Sequence, residues 1–77
     1  MIQLIVNDLK LHKDKVLEFT SKDKCEEFLD KSCCPKFETK PNKGIKYRVL
    51  GATYDSKSEE AIIKPYLFEK KNDTEDL

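Results

Sequence analysis

The chain has 77 residues, its 15 Lys and Arg side chains balance 15 Asp and Glu, and 38% of its residues are hydrophobic. This length accommodates one domain with a small core and excludes a separate catalytic or regulatory module. Zero net charge with four Phe and three Tyr is typical of a chain that folds. So small a core gives little stability. Association of two copies as a homodimer would add stability, and the sequence leaves this open.

The first twenty residues predict a β-hairpin. Apolar side chains occupy every second position over residues 2–6, which is the period of a strand. The pattern predicts a turn over residues 12–15 and a return strand over residues 16–19. Asn7 and Asp8 fit either a bulge or the turn itself, and the sequence leaves both open.

Residues 20–34 change to the period of a helix. One stripe of the predicted helix carries Cys25, Phe28, Leu29, Ser32 and Cys33. Thr20 followed by Asp23 fits a capping box at the start. Pro35 disfavours helical geometry at the residue before it, so we expect the helix to end near residue 32 or 33.

The second half of the chain begins with a predicted loop over residues 35–44, which contain two Pro, a Gly and an Asn. A short extended piece is expected within it, at residues 37–39. From Ile45 the alternation of apolar residues predicts a strand that ends near Tyr54.

A turn over residues 55–58 then leads to a predicted last strand over residues 61–68. Pro65 has no N–H for a β-ladder, so it marks an edge, a bulge or a break in that strand. The acidic tail, residues 70–77, has no apolar period and is expected to be disordered, which leaves a single domain over residues 1–69.

These elements predict a small α+β domain of order ββαββ, with one helix packed on an antiparallel or mixed four-stranded sheet. The order resembles that of ubiquitin-like β-grasp domains, whose third strand would correspond to residues 48–51. The chain ends in Thr-Glu-Asp-Leu instead of the diglycine of the conjugated members. The resemblance therefore implies an arrangement of elements and no functional residue.

The sequence offers no catalytic set, and we expect a protein that is not an enzyme and holds no cofactor or metal. His12, the single histidine, lies in a predicted turn among lysines. The paired carboxylates at 26–27 and 59–60 are chain neighbours, whose side chains diverge. The three cysteines lack Cys-x-x-Cys spacing, so we interpret them as reduced thiols, with Cys34 the most exposed.

The charges are unevenly distributed. Residues 31–48 have a net charge of +5, against −2 for residues 1–30 and −3 for residues 49–77. Basic side chains interleaved with aromatic ones contact phosphates and stack on bases, although a solvated loop has the same composition. The candidate binding residues are Lys36, Phe37, Lys40, Lys43, Lys46, Tyr47 and Arg48.

We therefore expect a small binding protein that docks on a macromolecular partner, in the first place a protein, and modulates or inhibits it. Docking would use a sheet edge near Pro65 or the basic segment. The alternative is binding of RNA or single-stranded DNA through residues 36–48. The small size and the 14 Lys against one Arg suggest a phage or mobile-element accessory protein, with a host-takeover, anti-defence or antitoxin-like role. With no export signal and no membrane-length apolar run, it is expected in the cytoplasm, that of the host if viral, with no membrane partner.

Overall fold

The structure, a computed structural model, describes residues 1–69. It belongs to the α+β class and combines a mixed four-stranded sheet of order β2-β1-β4-β3 with two helices. Strand β1 pairs antiparallel with both β2 and β4, and β3 lies parallel beside β4. In chain order the elements are β1 (Ile2–Asp8), β2 (Lys13–Phe19), α1 (Lys22–Ser32), β3 (Cys33–Cys34), β4 (Tyr47–Thr53) and α2 (Lys57–Leu67).

The predicted hairpin is confirmed, but its turn comes earlier, at residues 9–12. The carboxylate of Asp8 accepts hydrogen bonds from the backbone N–H groups of Lys10 (3.0 Å) and Leu11 (2.9 Å). His12 closes the turn with a left-handed backbone, φ +57°, and donates its N–H to the Asp8 carbonyl. Asn7 and Asp8 are therefore the last residues of β1, and the bulge lies instead between Ile5 and Val6 in the pairing with β4.

The predicted helix is also confirmed as α1. Its N-cap is Ser21, one residue after the expected Thr20, and the Ser21 hydroxyl accepts the N–H of Lys24 at 3.4 Å. Cys25 and Leu29 are fully buried, as the apolar stripe predicts. The helix ends at Ser32, and β3 follows at once.

The predicted last strand over residues 61–68 is wrong, because almost all of it lies in α2. The Ser56 hydroxyl accepts the N–H of Glu59, and the Glu59 carboxylate accepts the N–H of Asp55, so both side chains stabilise a helix start. Pro65 lies in the last turn, where the missing N–H removes only one helical hydrogen bond. The order is thus ββαββα, and the ββαββ order with its β-grasp resemblance is not found.

The fourth strand of the sheet is the two-residue β3, not the C-terminal segment, and residues 37–39 form no strand. Both helices pack on one face of the sheet. The fully buried side chains there come from β1, β4, α1 and α2, and they are Ile2, Leu4, Val6, Val49, Cys25, Leu29 and Ile63. Burying each large aliphatic one contributes about 1.5–3 kcal/mol, so this layer supplies most of the fold's stability.

Neither helix within residues 1–69 combines the length and apolar character that crossing a bilayer requires. The predicted disorder of residues 70–77 lies outside the described residues, and so does the domain boundary drawn before them.

Candidate functional site

The basic segment predicted from the sequence does not form one surface. Its lysines at 36, 40, 43 and 46 are exposed, and Phe37 is 40% exposed. Tyr47 instead faces the helices, with its ring 5.5 Å from that of Phe28, and packs against the core. Arg48 faces the opposite side of the sheet, because neighbouring residues of a strand alternate between faces.

Much of this segment's backbone serves the fold. Residues 35–46 run from β3 to β4, and their ends are held by hydrogen bonds from the Lys36 N–H to the Tyr66 carbonyl (2.7 Å) and from the Lys46 N–H to the Ser32 carbonyl (2.9 Å). The Arg48 guanidinium donates to the Glu38 carbonyl at 3.1 Å. These contacts fix the segment beside β3, and of the seven candidates they leave four lysines and Phe37 free to contact a partner.

The three cysteines lie in the interior. Cys34 is only 4% exposed, so the expectation that it is the most accessible thiol is wrong. Burial raises the pKa of the Cys33 thiol to about 12, and it also raises the pKa values of Cys25 and Cys34. Protonated, buried thiols are poor nucleophiles and poor metal ligands. Among residues 1–69, no three His, Cys, Asp or Glu side chains lie close enough to share a metal ion.

The sheet has a free edge that sequence reasoning missed, the outer side of β2. β2 is the outermost strand, and its inner side pairs with β1 over all seven residues. In the part of the chain that the structure describes, no strand pairs with its outer side.

The register identifies which groups this edge presents. The backbone N–H and C=O groups of successive strand residues point to alternate sides of the strand. The Leu9 N–H donates to the Lys46 carbonyl, which lies on the β4 side. The backbone groups of odd-numbered residues of β1 therefore point towards β4, and those of even-numbered residues point towards β2. The partners of these even-numbered residues are Lys13, Lys15, Leu17 and Phe19. The backbone N–H and C=O groups of Asp14, Val16 and Glu18 therefore point outward.

The same three residues place their side chains on the helix-free face. Val16 lies opposite Ile5 and is 62% exposed. Asp14 accepts a hydrogen bond from the Asn7 amide at 2.8 Å, and Glu18 accepts one from Gln3 at 2.9 Å. The edge thus carries an exposed apolar side chain between two oriented carboxylates.

On the helix side of β2, Leu17 and Phe19 are half-buried against the core. A groove of about 340 Å³ lies there between β2 and α1. The rings of Phe19 and Phe28 are 5.4 Å apart in it. Its lining consists of Phe19, Lys24, Glu27, Phe28, Lys31 and Ser32.

Two larger depressions lie elsewhere on the surface of residues 1–69. One, of about 700 Å³, lies beside the hairpin turn, and its one carboxylate is Asp8. The N–H of Leu11, the N–H of Lys10 and the Lys15 ammonium hold the pKa of that carboxyl below its ordinary value. The other, of about 560 Å³, has an apolar floor of Ala61, Pro65 and the exposed Phe37 and Phe68.

Comparisons with protein-family models, with curated proteins and with solved structures find no match to this chain.

Proposed function

We propose that this protein is a small non-enzymatic binding protein that docks on a protein partner through the outer edge of β2 and modulates or inhibits that partner. The observation that carries the proposal is the free edge itself, where Asp14, Val16 and Glu18 direct backbone groups outward around an exposed apolar side chain. An unpaired edge of this kind is a template for an added strand.

The charges on β2 support selective docking over indiscriminate association. Proteins protect sheet edges with charged side chains, and β2 carries two Lys, an Asp and a Glu. These charges discourage pairing with an arbitrary hydrophobic strand and favour a complementary one. The accessory role in a phage or mobile element, predicted from size and composition, is compatible with such a docking protein and stays a prediction.

A second candidate function is binding of RNA or single-stranded DNA through the basic segment. The exposed lysines at 36, 40, 43 and 46 and the exposed Phe37 favour it. Tyr47 and Arg48 are engaged elsewhere, so the segment retains one aromatic side chain for stacking. The basic segment thus offers fewer groups for binding nucleic acid than the sequence predicts, and protein docking through the free β2 edge is the first proposal.

The test compares two substitutions at one residue. Val16→Pro removes an outward N–H without breaking the ladder to β1, so it blocks strand addition and preserves the fold. Val16→Thr, the matched control, keeps the N–H. A photo-crosslinking residue is placed at position 16 or, in a second protein, at position 43, and each protein is irradiated in cell extract.

We expect protein adducts from position 16 that excess unlabelled wild type or Val16→Thr suppresses and Val16→Pro does not. Suppression by all three competitors would contradict docking through the edge. Nuclease-sensitive adducts from position 43 alone would instead favour the nucleic-acid function.

A further inference from the structure

The chemistry of the β2 edge restricts what it can bind. Asp14 and Glu18 flank Val16 at the same spacing on the same face, and each accepts only a side-chain amide. Within residues 1–69, neither carboxylate has a cationic partner. Their negative charges therefore remain available to an added strand.

An added antiparallel strand places its side chains directly opposite those of β2. Opposite charges in such positions stabilise the pair and like charges destabilise it. A strand with an apolar residue opposite Val16 brings its neighbours two residues away opposite Asp14 and Glu18. Lys or Arg at both of those positions satisfies both carboxylates.

The helix side of the edge adds a second requirement. The two intervening residues of the added strand lie opposite Lys15 and Leu17, on the side of the groove lined by Phe19 and Phe28. An apolar residue fits opposite the half-buried Leu17. A polar residue fits opposite Lys15, whose ammonium lies 3.5 Å from Asp8.

A second copy of this chain fits the edge poorly. Antiparallel pairing of two β2 strands centred on Val16 places Asp14 of each copy opposite Glu18 of the other. Centring on Lys15 places two lysines opposite each other. Both registers set like charges face to face. Centring on Leu17 avoids this but places Glu18 of each copy opposite Val16 of the other and matches no charge, so a partner with basic residues is favoured over self-association.

We propose that the partner presents an extended segment with the pattern basic, apolar, apolar, polar, basic, and that this segment adds antiparallel to β2. Its central apolar residue lies opposite Val16, and its basic residues lie opposite Glu18 and Asp14. This inference rests on the proposed docking through the β2 edge and adds the chemistry of the partner.

The test uses two cyclic β-hairpin peptides that share one turn and differ only in charge. The outer strand reads Lys-Leu-Val-Thr-Lys in one and Glu-Leu-Val-Thr-Glu in the other, and cyclisation lowers the cost of ordering the strand. Fluorescence anisotropy measures their affinities. We expect the lysine peptide to bind about tenfold more tightly at low salt, with the difference shrinking as salt is added.

Variants of the protein separate charge from backbone pairing. In D14N/E18Q, which keeps the side-chain amide contacts but removes the charges, the preference should disappear. In D14K/E18K it should invert. Hydrogen exchange should show the amides of Asp14, Val16 and Glu18 becoming protected when the lysine peptide binds, a readout that needs no substitution.

Different failures have different meanings. Equal binding of both peptides with protection of the three outward amides would overturn the basic pattern and leave edge docking intact. If the lysine peptide does not bind while position 16 still forms edge-specific adducts, the basic pattern is likewise overturned and docking through the edge is retained. A dimeric mass with protected β2 amides would assign the edge to a second copy of the chain. Displacement of the peptide by an oligouridine would assign the edge to RNA. Either result would overturn the proposal.

Discussion

The two edges of this sheet are built in contrasting ways. β3 has two residues, and the segment that follows it is fastened by backbone bonds to both α1 and α2. β2 has seven residues, and no described strand or loop pairs with its outer side. The β3 edge is short and the segment beside it is held by backbone hydrogen bonds, whereas only charged side chains protect the long β2 edge. Under the proposed docking, a single free edge would take up one extended partner.

The largest expected effect comes from weakening the packing of α2, which holds the segment that follows β3. Ile63→Ala empties a fully buried position on α2, and such truncations lower the free energy of unfolding by about 2–5 kcal/mol. Urea denaturation measures the loss, and hydrogen exchange should quicken at Lys36, whose N–H bonds to α2, more than at β2. Val16→Ala, an exposed truncation, should change stability by less than about 0.5 kcal/mol. Equal effects of the two substitutions would contradict the placement of α2.

A hydroxyl introduced at each edge sharpens the contrast at smaller magnitude. Cys33→Ser buries a hydroxyl in the core cluster and should cost about 1–3 kcal/mol. Val16→Thr introduces a hydroxyl at a position that is 62% exposed and should be within about 0.5 kcal/mol of wild type. Urea denaturation of both variants checks this. A larger loss for Val16→Thr would mean that β2 is covered in solution.

The smallest expected effect is a pH dependence of stability that arises at the turn between β1 and β2. The turn's N–H groups lower the pKa of Asp8 in the folded protein, so its charged form stabilises the fold at neutral pH. This contribution is lost as the pH falls below the ordinary value of 3.8 and through the lower folded value. The stability difference between wild type and Asp8→Ala should therefore be largest at neutral pH and shrink in acid. A difference that stays constant into acid would show that the charge of Asp8 has no part in it.

The elements set by local sequence were predictable. The hairpin follows from apolar residues at every second position, and α1 follows from a stripe of apolar residues at helical spacing. Residues 61–68 were mispredicted as a strand, because short apolar runs around Pro65 fit a strand as well as a helix. The Ser56 and Glu59 pair, a helix-start signal, was present in the sequence and outweighs that ambiguity.

The candidate site at the β2 edge depends on which strands pair with each other, and no local sequence pattern specifies that. The free edge of β2 exists because β4 occupies the other side of β1, and that pairing joins residues 39 to 50 positions apart. Cys34, which is buried, likewise pairs with Arg48, 14 positions further along the chain. The separation of Tyr47 from Arg48 was predictable, since adjacent residues in a strand face opposite sides.

The central position of β1 has a consequence for biosynthesis. Its first neighbour, β2, is made within a few residues of it, but its second neighbour, β4, ends at Thr53. At about 5–20 residues per second, the ribosome leaves the β4 side of β1 without its partner for a period on the order of seconds. A nascent chain therefore displays two unpaired edges, one on β1 and one on β2, before it displays one.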